Sequence, residues 1–167
     1  MRGQQQVYDY LEQQGIGFDY YEHPEAPTIE IASQFYRGEG TVLCKNLFFR
    51  NHKGNKHYLV IMDARHNMDI HEIEHQLHQG KLSFASPEDM LKYLDIEPGA
   101  VSIMGLMNDK DHAVQLLIDE DVLKDEYIGC HPCVNTSSLK LKTEDVINKF
   151  LPAAGHDYKT VHLVGED

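Results

Sequence analysis

The sequence contains a formal H-E-x-x-H motif, formed by His71, Glu72 and His75. In metal hydrolases two histidines at this spacing hold a zinc ion from one helix face, and the glutamate activates the bound water. The longer form of the motif requires a glycine and a third histidine, but His78 and Lys81 stand at those positions. The apolar stripe of the helix runs through its isoleucines, which leaves the histidines among glutamates and glutamines. We therefore expect a solvated helix face, with no metal site.

A second pattern is C-x-x-C, made by Cys130 and Cys133 with His131 and Pro132 between them. In thiol redox enzymes the first cysteine stands at a helix N-terminus, which lowers the pKa of its thiol. Here the pattern is followed by V-N-T-S-S and a strand-like L-K-L, so no helix is expected to begin at the cysteines. A zinc site would need two further ligands, for which Cys44 and His131 are candidates. Packing in a loop or lining a pocket is the favoured interpretation, and redox chemistry and metal binding stay open as alternatives.

A third feature is the pair Lys45 and Asn46, which interrupts the otherwise apolar run V-L-C-K-N-L-F-F. Burying an ammonium group is costly unless it meets a partner or an open cleft. One interpretation is an edge-strand lysine that faces water. The other is an anion-binding or catalytic lysine in the wall of a pocket.

The chain that must position these groups has the composition of one soluble domain. Its 167 residues are 41% hydrophobic and 25% charged, which fits a single domain over residues 1–167. It has no run of eighteen apolar residues and no apolar leader at the N-terminus, so we expect a cytoplasmic protein that does not use a membrane. The net charge of −12 excludes a generally basic surface for nucleic acid. Three cysteines without a leader indicate reduced thiols.

Short apolar runs and helical patterns follow one another without strict alternation, which predicts a mixed α/β fold. Strands over 43–50 and 57–62 flank a polar turn and predict a β-hairpin. Further helices are expected over 4–14, from Thr28, over 69–79, from Ser86 to 94 and from Thr143 to 151, and further strands over 17–22, 81–85, 101–107, 114–119, 126–128, 140–142 and 160–164.

The order of these segments resembles a known family. The chain carries H-P-E-A-P-T, C-K-N-L-F-F, L-S-F-A-S-P-E-D-M, L-D-I-E-P-G-A-V-S, V-Q-L-L-I-D-E and H-P-C-V-N-T-S-S in this succession. This is similar to the YbaK family of trans-editing deacylases, which is related to the editing domain inserted in bacterial prolyl-tRNA synthetase. The lysine–asparagine pair and the proline–glycine turn most resemble the ProXp-ala (PrdX) subgroup. The resemblance implies one α/β domain with a mixed, partly barrel-like central sheet flanked by helices.

The resemblance also implies an activity, which is hydrolysis of the ester bond of mischarged tRNA(Pro), with alanine as the misattached amino acid in this subgroup. Its catalytic groups correspond to Lys45 at the end of the tRNA, the loop at Gly99 for the carbonyl oxygen, and His131 in the pocket. Ile103 departs from the family, which has a proline there, and Cys133 replaces a residue that is more usually aliphatic. The implied substrate-binding positions are Thr28, Asn46, Ala100, Val101, Ser102, Ile103 and Asn135.

Such a reaction requires neither a cofactor nor a metal, because an aminoacyl ester is already activated and a positioned water suffices. The implied partner is the acceptor end of tRNA(Pro), with prolyl-tRNA synthetase as a further one. Arg50, Lys53 and Lys56, with Arg65 nearby, are the candidates for a local tRNA-binding surface in this acidic chain, and an ordinary solvated turn is the alternative. Deacylation specific for cysteine or serine and a non-catalytic aminoacyl-tRNA binding module are the alternative functions.

Overall fold

The computed structural model of the chain describes residues 2–22, 41–42 and 44–163. The predicted helix that begins at Thr28 lies outside these residues. In chain order the described elements are α1 (Gln5–Gln13), β1 (Phe18–Glu22), β2 (Thr41–Val42), β3 (Cys44–Asn51), β4 (His57–Asp63), α2 (Ile70–Leu77), β5 (Leu82–Phe84), α3 (Pro87–Leu94), a 3₁₀ helix (Ile103–Asn108), β6 (Val114–Asp119), a 3₁₀ turn (Val122–Lys124), β7 (Tyr127–Cys130), β8 (Ser137–Lys142), α4 (Thr143–Asp145), a π-helical turn (Val146–Phe150), α5 (Leu151–Ala154) and β9 (Tyr158–Val161).

The described strands form two mixed sheets. The larger sheet has the order β5-β3-β4-β6-β9, with β3 antiparallel to β4 and β5, and with β4, β6 and β9 parallel. The smaller sheet has the order β1-β8-β7-β2, in which β7 pairs antiparallel with β8 and parallel with β2. The predicted mixed α/β domain is therefore confirmed. Helices flank the sheets as expected, and over the described residues neither sheet closes on itself.

The hairpin of β3 and β4 contributes to two separate apolar cores, because successive strand residues point to opposite faces. Phe48 and Leu59 face the main core, which the smaller sheet and α1 also fill. Phe49 and Val60 face a second core on the other side of the larger sheet, where Ile73 of α2 packs. Both faces of β4 are therefore buried, which explains its continuous apolar sequence.

Helix starts follow from local capping, as the sequence predicts. The Ser86 hydroxyl accepts a hydrogen bond from the backbone N–H of Asp89, and Pro87 occupies the first turn of α3. The carboxylate of Asp69 caps α2 by accepting from the N–H groups of His71 and Glu72. The hairpin is also confirmed, with Lys45 opposite Met62 in its register.

The segment predicted as a strand over 101–107 is instead the 3₁₀ helix Ile103–Asn108. Four of its consecutive residues, 103–106, are buried, so hydrophobic periodicity cannot distinguish the two structures. The local determinant is Ser102, whose hydroxyl accepts from the N–H of Met104 and begins the helix. Gly105 packs closely against the end of α3, where an added Cβ would lie 3.2 Å from Leu94 Cβ and 2.6 Å from Ile96 Cδ1.

Two boundaries near the C-terminus also differ from the prediction. Thr143 does not cap the last helical segment, because its hydroxyl donates instead to the carbonyl oxygen of Asp125. The last described strand, expected over 160–164, is Tyr158–Val161 and pairs parallel with β6. Among the described residues no helix has both the length and the apolar character needed to span a membrane.

Candidate active site

The segment from Gly99 to Ile103 leads from α3 into the 3₁₀ helix, with Gly99 exposed and the residues after it buried. Gly99 has a φ of +88°, a conformation that favours glycine, and it closes the turn after Pro98. Ser102 is fully buried, and its hydroxyl donates to the carbonyl oxygen of His131 at 2.6 Å. A Cβ on Gly99 would lie 3.4 Å from Asn135 Nδ2. Two loops that are thirty residues apart in sequence thus lie in direct contact.

The backbone of this loop presents consecutive unused donors. Among the described residues, the N–H groups of Val101, Ser102 and Ile103 have no hydrogen-bond acceptor, whereas the N–H groups of Ala100 and Met104 do. Buried N–H groups without a partner are rare in folded proteins. Adjacent backbone donors of this kind can stabilise an oxyanion as it forms.

The ring of His131 is fixed by the residues that follow it. Its Nδ1 lies 2.8 Å from the carbonyl oxygen of Ser137, which can only accept, so Nδ1 carries the proton. Ser138 Oγ lies 3.5 Å from the same nitrogen. With the backbone oxygen of His131 held by Ser102, both the ring and the main chain of this residue are positioned against the loop at 99–103.

Asn46 lies on the main-core face of β3, opposite Ile61. Its Oδ1 is buried and accepts no hydrogen bond from any described residue. Cys44, two residues earlier on the same face, lies beside Cys130, which in turn contacts the hydroxyl of Ser102. An unsatisfied amide oxygen therefore faces the region in which the two loops meet.

Lys45 does not share that face. It lies opposite Met62, which belongs to the second core, so its side chain leaves β3 on the other side of the sheet from Asn46. It is half-buried and forms no ion pair with a described carboxylate. The β5 strand pairs only with Phe49–Asn51, so no described strand pairs with this end of β3 on that side. The lysine and the asparagine thus share one end of a strand but not one face.

The hairpin residues expected to bind tRNA lie at the opposite end of β3. Arg50 is used internally, because its Nη2 donates to the carbonyl oxygen of His52 and its Nε to that of Asn51. Lys53 and Lys56 are exposed in the turn. At about 3.3 Å per strand residue, the turn lies roughly 20 Å from Lys45.

Comparison with known proteins places this arrangement in a family. A model of the aminoacyl-tRNA editing domain matches residues 23–149, which is more than half of the chain. The chain belongs to the aminoacyl-tRNA editing domain family. Thr28, the remaining substrate-binding candidate, falls within the match but outside the described residues.

Two curated proteins and one solved structure illustrate the likeness to this editing-domain family. The prolyl-tRNA editing protein ProX of Acetoanaerobium sticklandii is 32% identical over 163 residues, which cover 98% of this chain and 99% of that protein. The prolyl-tRNA synthetase associated domain-containing protein 1 of Mus musculus is 30% identical over 140 residues, covering 81% and 82%. A crystal structure described as "a putative trans-editing enzyme for prolyl tRNA synthetase" has a TM-score of 0.72 at 21% identity, covering 98% of this chain and 96% of that one. At this identity the structural likeness shows the fold.

The cysteines of this editing domain are poor nucleophiles. Burial raises the pKa of both the Cys130 and the Cys133 thiol to about 12. Burial, together with neighbouring acidic groups, likewise raises the pKa of the Cys44 thiol. All three are thiols rather than half-cystines, and thiols this far from ionisation attack slowly at neutral pH.

The histidines of α2 form the solvated face that the sequence predicts. His71, His75 and His78 are all exposed, and the side chain of His71 is 88% accessible. His71 contacts Glu74 at 3.4 Å, while Glu72 accepts a hydrogen bond from Gln76.

A hydrogen-bonded cluster of a histidine and two aspartates at the carboxyl ends of β4 and β6 was not predicted from the sequence. His66 contacts Asp119 through Nδ1 at 2.6 Å and Asp121 through Nε2 at 3.0 Å. Asp119 is fully buried and also accepts from the N–H of Asp63 at 3.0 Å. The sequence contained a signal for this cluster, which is an aspartate at the end of each of two buried strands. Neighbouring parallel strands bring their carboxyl ends together, so these aspartates lie close to each other. This cluster connects the two strand ends through hydrogen bonds.

Arg65 completes this region, although it was expected near a tRNA surface. It binds both carboxylate oxygens of Asp63, at 3.0 and 2.6 Å. Burial by itself opposes ionisation of Asp63, but the hydrogen bonds from Arg65 outweigh it and hold the pKa of the carboxyl below its usual value.

Proposed function

We propose that the chain is a trans-editing deacylase that hydrolyses the ester bond of mischarged tRNA(Pro), with alanine as the amino acid removed. Family membership supports an editing activity, and the names of the two curated relatives support prolyl-tRNA as the tRNA class. The observation that carries the chemistry is the run of N–H groups in the buried residues Val101–Ile103, which have no acceptor among the described residues and are held against His131 by Ser102.

The proposed mechanism is attack by a positioned water on the ester carbonyl. As the tetrahedral intermediate forms, negative charge develops on the carbonyl oxygen, and the N–H groups of the loop after Gly99 stabilise it. His131 shapes the pocket and polarises the water. The ester is already activated, so this route requires no covalent nucleophile, in agreement with the raised pKa of the buried thiols.

Two side chains at the start of β3 receive different roles. The Oδ1 of Asn46, which has no partner in the described part of the chain, is suited to accept a hydrogen bond from the α-ammonium group of the aminoacyl ester. Lys45 lies on the other face, so we assign it to the terminal adenosine or its phosphate rather than to the acyl group. Thr28 and Asn135 complete the proposed pocket wall.

The proposed pocket must be small enough to admit alanine and exclude proline. Ala100, Val101 and Ile103, which are buried in the loop, are proposed to line it beside the oxyanion site. Rejection of proline by steric exclusion is a stronger filter than the 1–3 kcal/mol or so that one methylene provides. Alanine fits this requirement, and serine and cysteine are the competitors of similar size.

The partner that this function requires is the acceptor end of tRNA(Pro) in the cytoplasm. Prolyl-tRNA synthetase is a second proposed partner, and it is supported only by the name of the mouse relative. Neither a metal ion nor a cofactor takes part in the proposed mechanism.

The test compares hydrolysis of Ala-tRNA(Pro), Cys-tRNA(Pro) and Pro-tRNA(Pro) in the presence of EDTA. We expect selective multiple-turnover loss of alanine by the wild type, and at least a tenfold lower kcat/KM for Lys45→Ala. The matched control is His71→Ala on the exposed face of α2, which should retain full activity.

Other results would revise the proposal in distinct ways. Selective loss of cysteine would change the substrate and keep the mechanism. Binding of the aminoacyl-tRNA without hydrolysis would indicate that the protein is an aminoacyl-tRNA binding module. Inactivation by EDTA, together with loss of activity in His71→Ala, would overturn the metal-free mechanism.

A further inference from the structure

Two cavities lie at the hairpin end of the larger sheet, away from the candidate active site. The first, of about 430 Å³, lies between the β3–β4 turn and the connection from α2 to β5. The second, of about 390 Å³, lies beside the amino ends of β4, β6 and β9. Asn55 and Lys56 line both cavities, so the two adjoin at the turn.

The first cavity is lined by positive groups without a carboxylate. Lys53 and Lys56 come from the turn and Lys81 from the segment before β5. All three side chains are exposed, and none forms an ion pair with a described carboxylate. In a chain with a net charge of −12, three such lysines around one cavity form a distinct local positive site.

The second cavity also has positively charged groups in its lining. It is lined by Lys56 and Lys159, with His112 beside them. Its one acidic residue among the described lining is Asp157, whose Oδ1 accepts a hydrogen bond from the N–H of Tyr158 at 2.8 Å. The two cavities together form a lysine track, defined here by Lys53, Lys56, Lys81 and Lys159.

The turn that carries two of these lysines is preorganised. Asn51 Oδ1 accepts from the N–H groups of Asn55 and Lys56 at 3.0 and 3.1 Å. The guanidinium of Arg50 lies against Gly54, where an added Cβ would lie 3.0 Å from its Nη2. Arg50 therefore holds the turn in shape, and the lysines, rather than Arg50, are left to meet a ligand.

We propose that the lysine track binds the phosphodiester backbone of the tRNA acceptor stem, an inference that rests on the proposed function. Four point charges distributed over two adjoining cavities fit a chain of phosphates better than one bound anion. The turn that carries Lys53 and Lys56 lies roughly 20 Å along β3 from Lys45, so the track meets tRNA at a distance from the ester. It therefore increases affinity and fixes the approach of the tRNA without taking part in the hydrolysis.

The experiment measures binding of uncharged tRNA(Pro) to the full chain over a series of salt concentrations. For Lys53→Ala/Lys81→Ala we expect about tenfold weaker binding. We also expect a log–log salt slope that is smaller by about 2, because each of the two lysines neutralises one phosphate. The matched control is Lys142→Ala, an exposed lysine on the smaller sheet, which should leave both values unchanged. Because all these lysines are exposed, the melting temperature of each variant should equal that of the wild type.

A second readout separates this inference from the proposed function. With alanyl-adenosine ester as a minimal substrate, the double variant should hydrolyse at the wild-type rate, while its KM for Ala-tRNA(Pro) rises. If the wild type binds tRNA through the track but hydrolyses neither substrate, the proposed function fails and the track stands. If the double variant binds tRNA as tightly as the wild type, the track is overturned.

Two competing ligands give further outcomes. In one outcome, inorganic phosphate or poly-glutamate binds the wild type as tightly as tRNA does and fails to bind the double variant. That result would overturn the assignment to a nucleic-acid backbone. Failure of both to displace tRNA at equal charge concentration would support it.

Discussion

At the scale of single residues, the most informative group is an amide oxygen without a partner among the described residues. The Oδ1 of Asn46 is buried and unsatisfied, and on the same face of β3 Asn46 is followed by the buried Phe48. Such an atom costs free energy in the unliganded protein, because it has given up its hydrogen bonds to water. In the proposed mechanism the α-ammonium group of the substrate satisfies this oxygen.

This argument predicts opposite effects of Asn46→Leu on stability and activity. The variant removes the unsatisfied oxygen and keeps a side chain of similar size, so the free energy of unfolding should be unchanged or higher. Deacylation should fall about tenfold or more, which corresponds to about 1.4 kcal/mol less transition-state stabilisation. Urea unfolding and kcat/KM on Ala-tRNA(Pro) provide the two measurements, with the exposed Asn148→Leu as the control. A variant with wild-type activity would remove Asn46 from the site.

At the scale of elements, the candidate site depends on where one short helix begins. Ser102 begins the 3₁₀ helix by capping Met104, and the same hydroxyl holds His131. The hydroxyl thus couples the start of the helix to the position of the second loop. α3 begins in a similar way at Ser86, but that hydroxyl does not contact the site.

The two serines therefore form a matched pair for mutation. Ser86→Ala and Ser102→Ala should each lower the free energy of unfolding by about 1–2 kcal/mol, since each removes a cap. Only Ser102→Ala should also lower kcat, because it releases His131 and the loop with the unpaired N–H groups. Thermal unfolding and steady-state deacylation would measure both effects. Equal retention of activity in the two variants would contradict the coupling.

At the scale of the whole molecule, charge is divided between the two ends of the larger sheet. The hairpin end carries the lysine track, whereas the carboxyl ends of β4 and β6 carry Asp63, Asp119 and Asp121. The net charge of −12 therefore conceals an uneven distribution. This division explains how an acidic protein can offer a polyanion a local place to bind.

The stability of the whole molecule should depend on pH through His156. This residue is buried between α5 and β9, near Asp109 and His112, and burial lowers the pKa of its imidazole below the usual 6.5. The unfolded chain then takes up a proton at a higher pH than the folded one. The contribution of neutral His156 to the free energy of unfolding is therefore fully present above about pH 6.5. It is lost as the pH falls through the pKa of His156 in the folded protein.

We expect the free energy of unfolding to fall between about pH 7.5 and pH 5.5, and to fall less in His156→Gln. His71→Gln, on the exposed face of α2, should have the wild-type dependence. Urea titrations at the two pH values provide the comparison. An identical fall in His156→Gln and wild type would show that other groups determine this dependence.

Much of the fold followed from local rules in the sequence. The hairpin was predicted from two apolar runs and a polar turn, and the start of α3 from Ser86 and Pro87. The 3₁₀ structure of the segment over 101–107 was not predicted, because a buried apolar run has no periodicity to distinguish a strand from a 3₁₀ helix. The division into two open sheets also depends on strand pairing between residues far apart in sequence, which no local pattern contains.

The sequence by itself determined the chemical groups available: a lysine–asparagine pair in an apolar strand, a proline–glycine turn, and a histidine after a buried strand. Only the tertiary structure decided how they are combined. It placed Lys45 and Asn46 on opposite faces, because side chains alternate along a strand, and it brought Ser102 to His131 by packing two distant loops together. It also used Arg50 within the turn and added Lys81 to the lysines of the hairpin. Residue types are local, whereas proximity and the satisfaction of hydrogen bonds are fixed only when the whole chain packs.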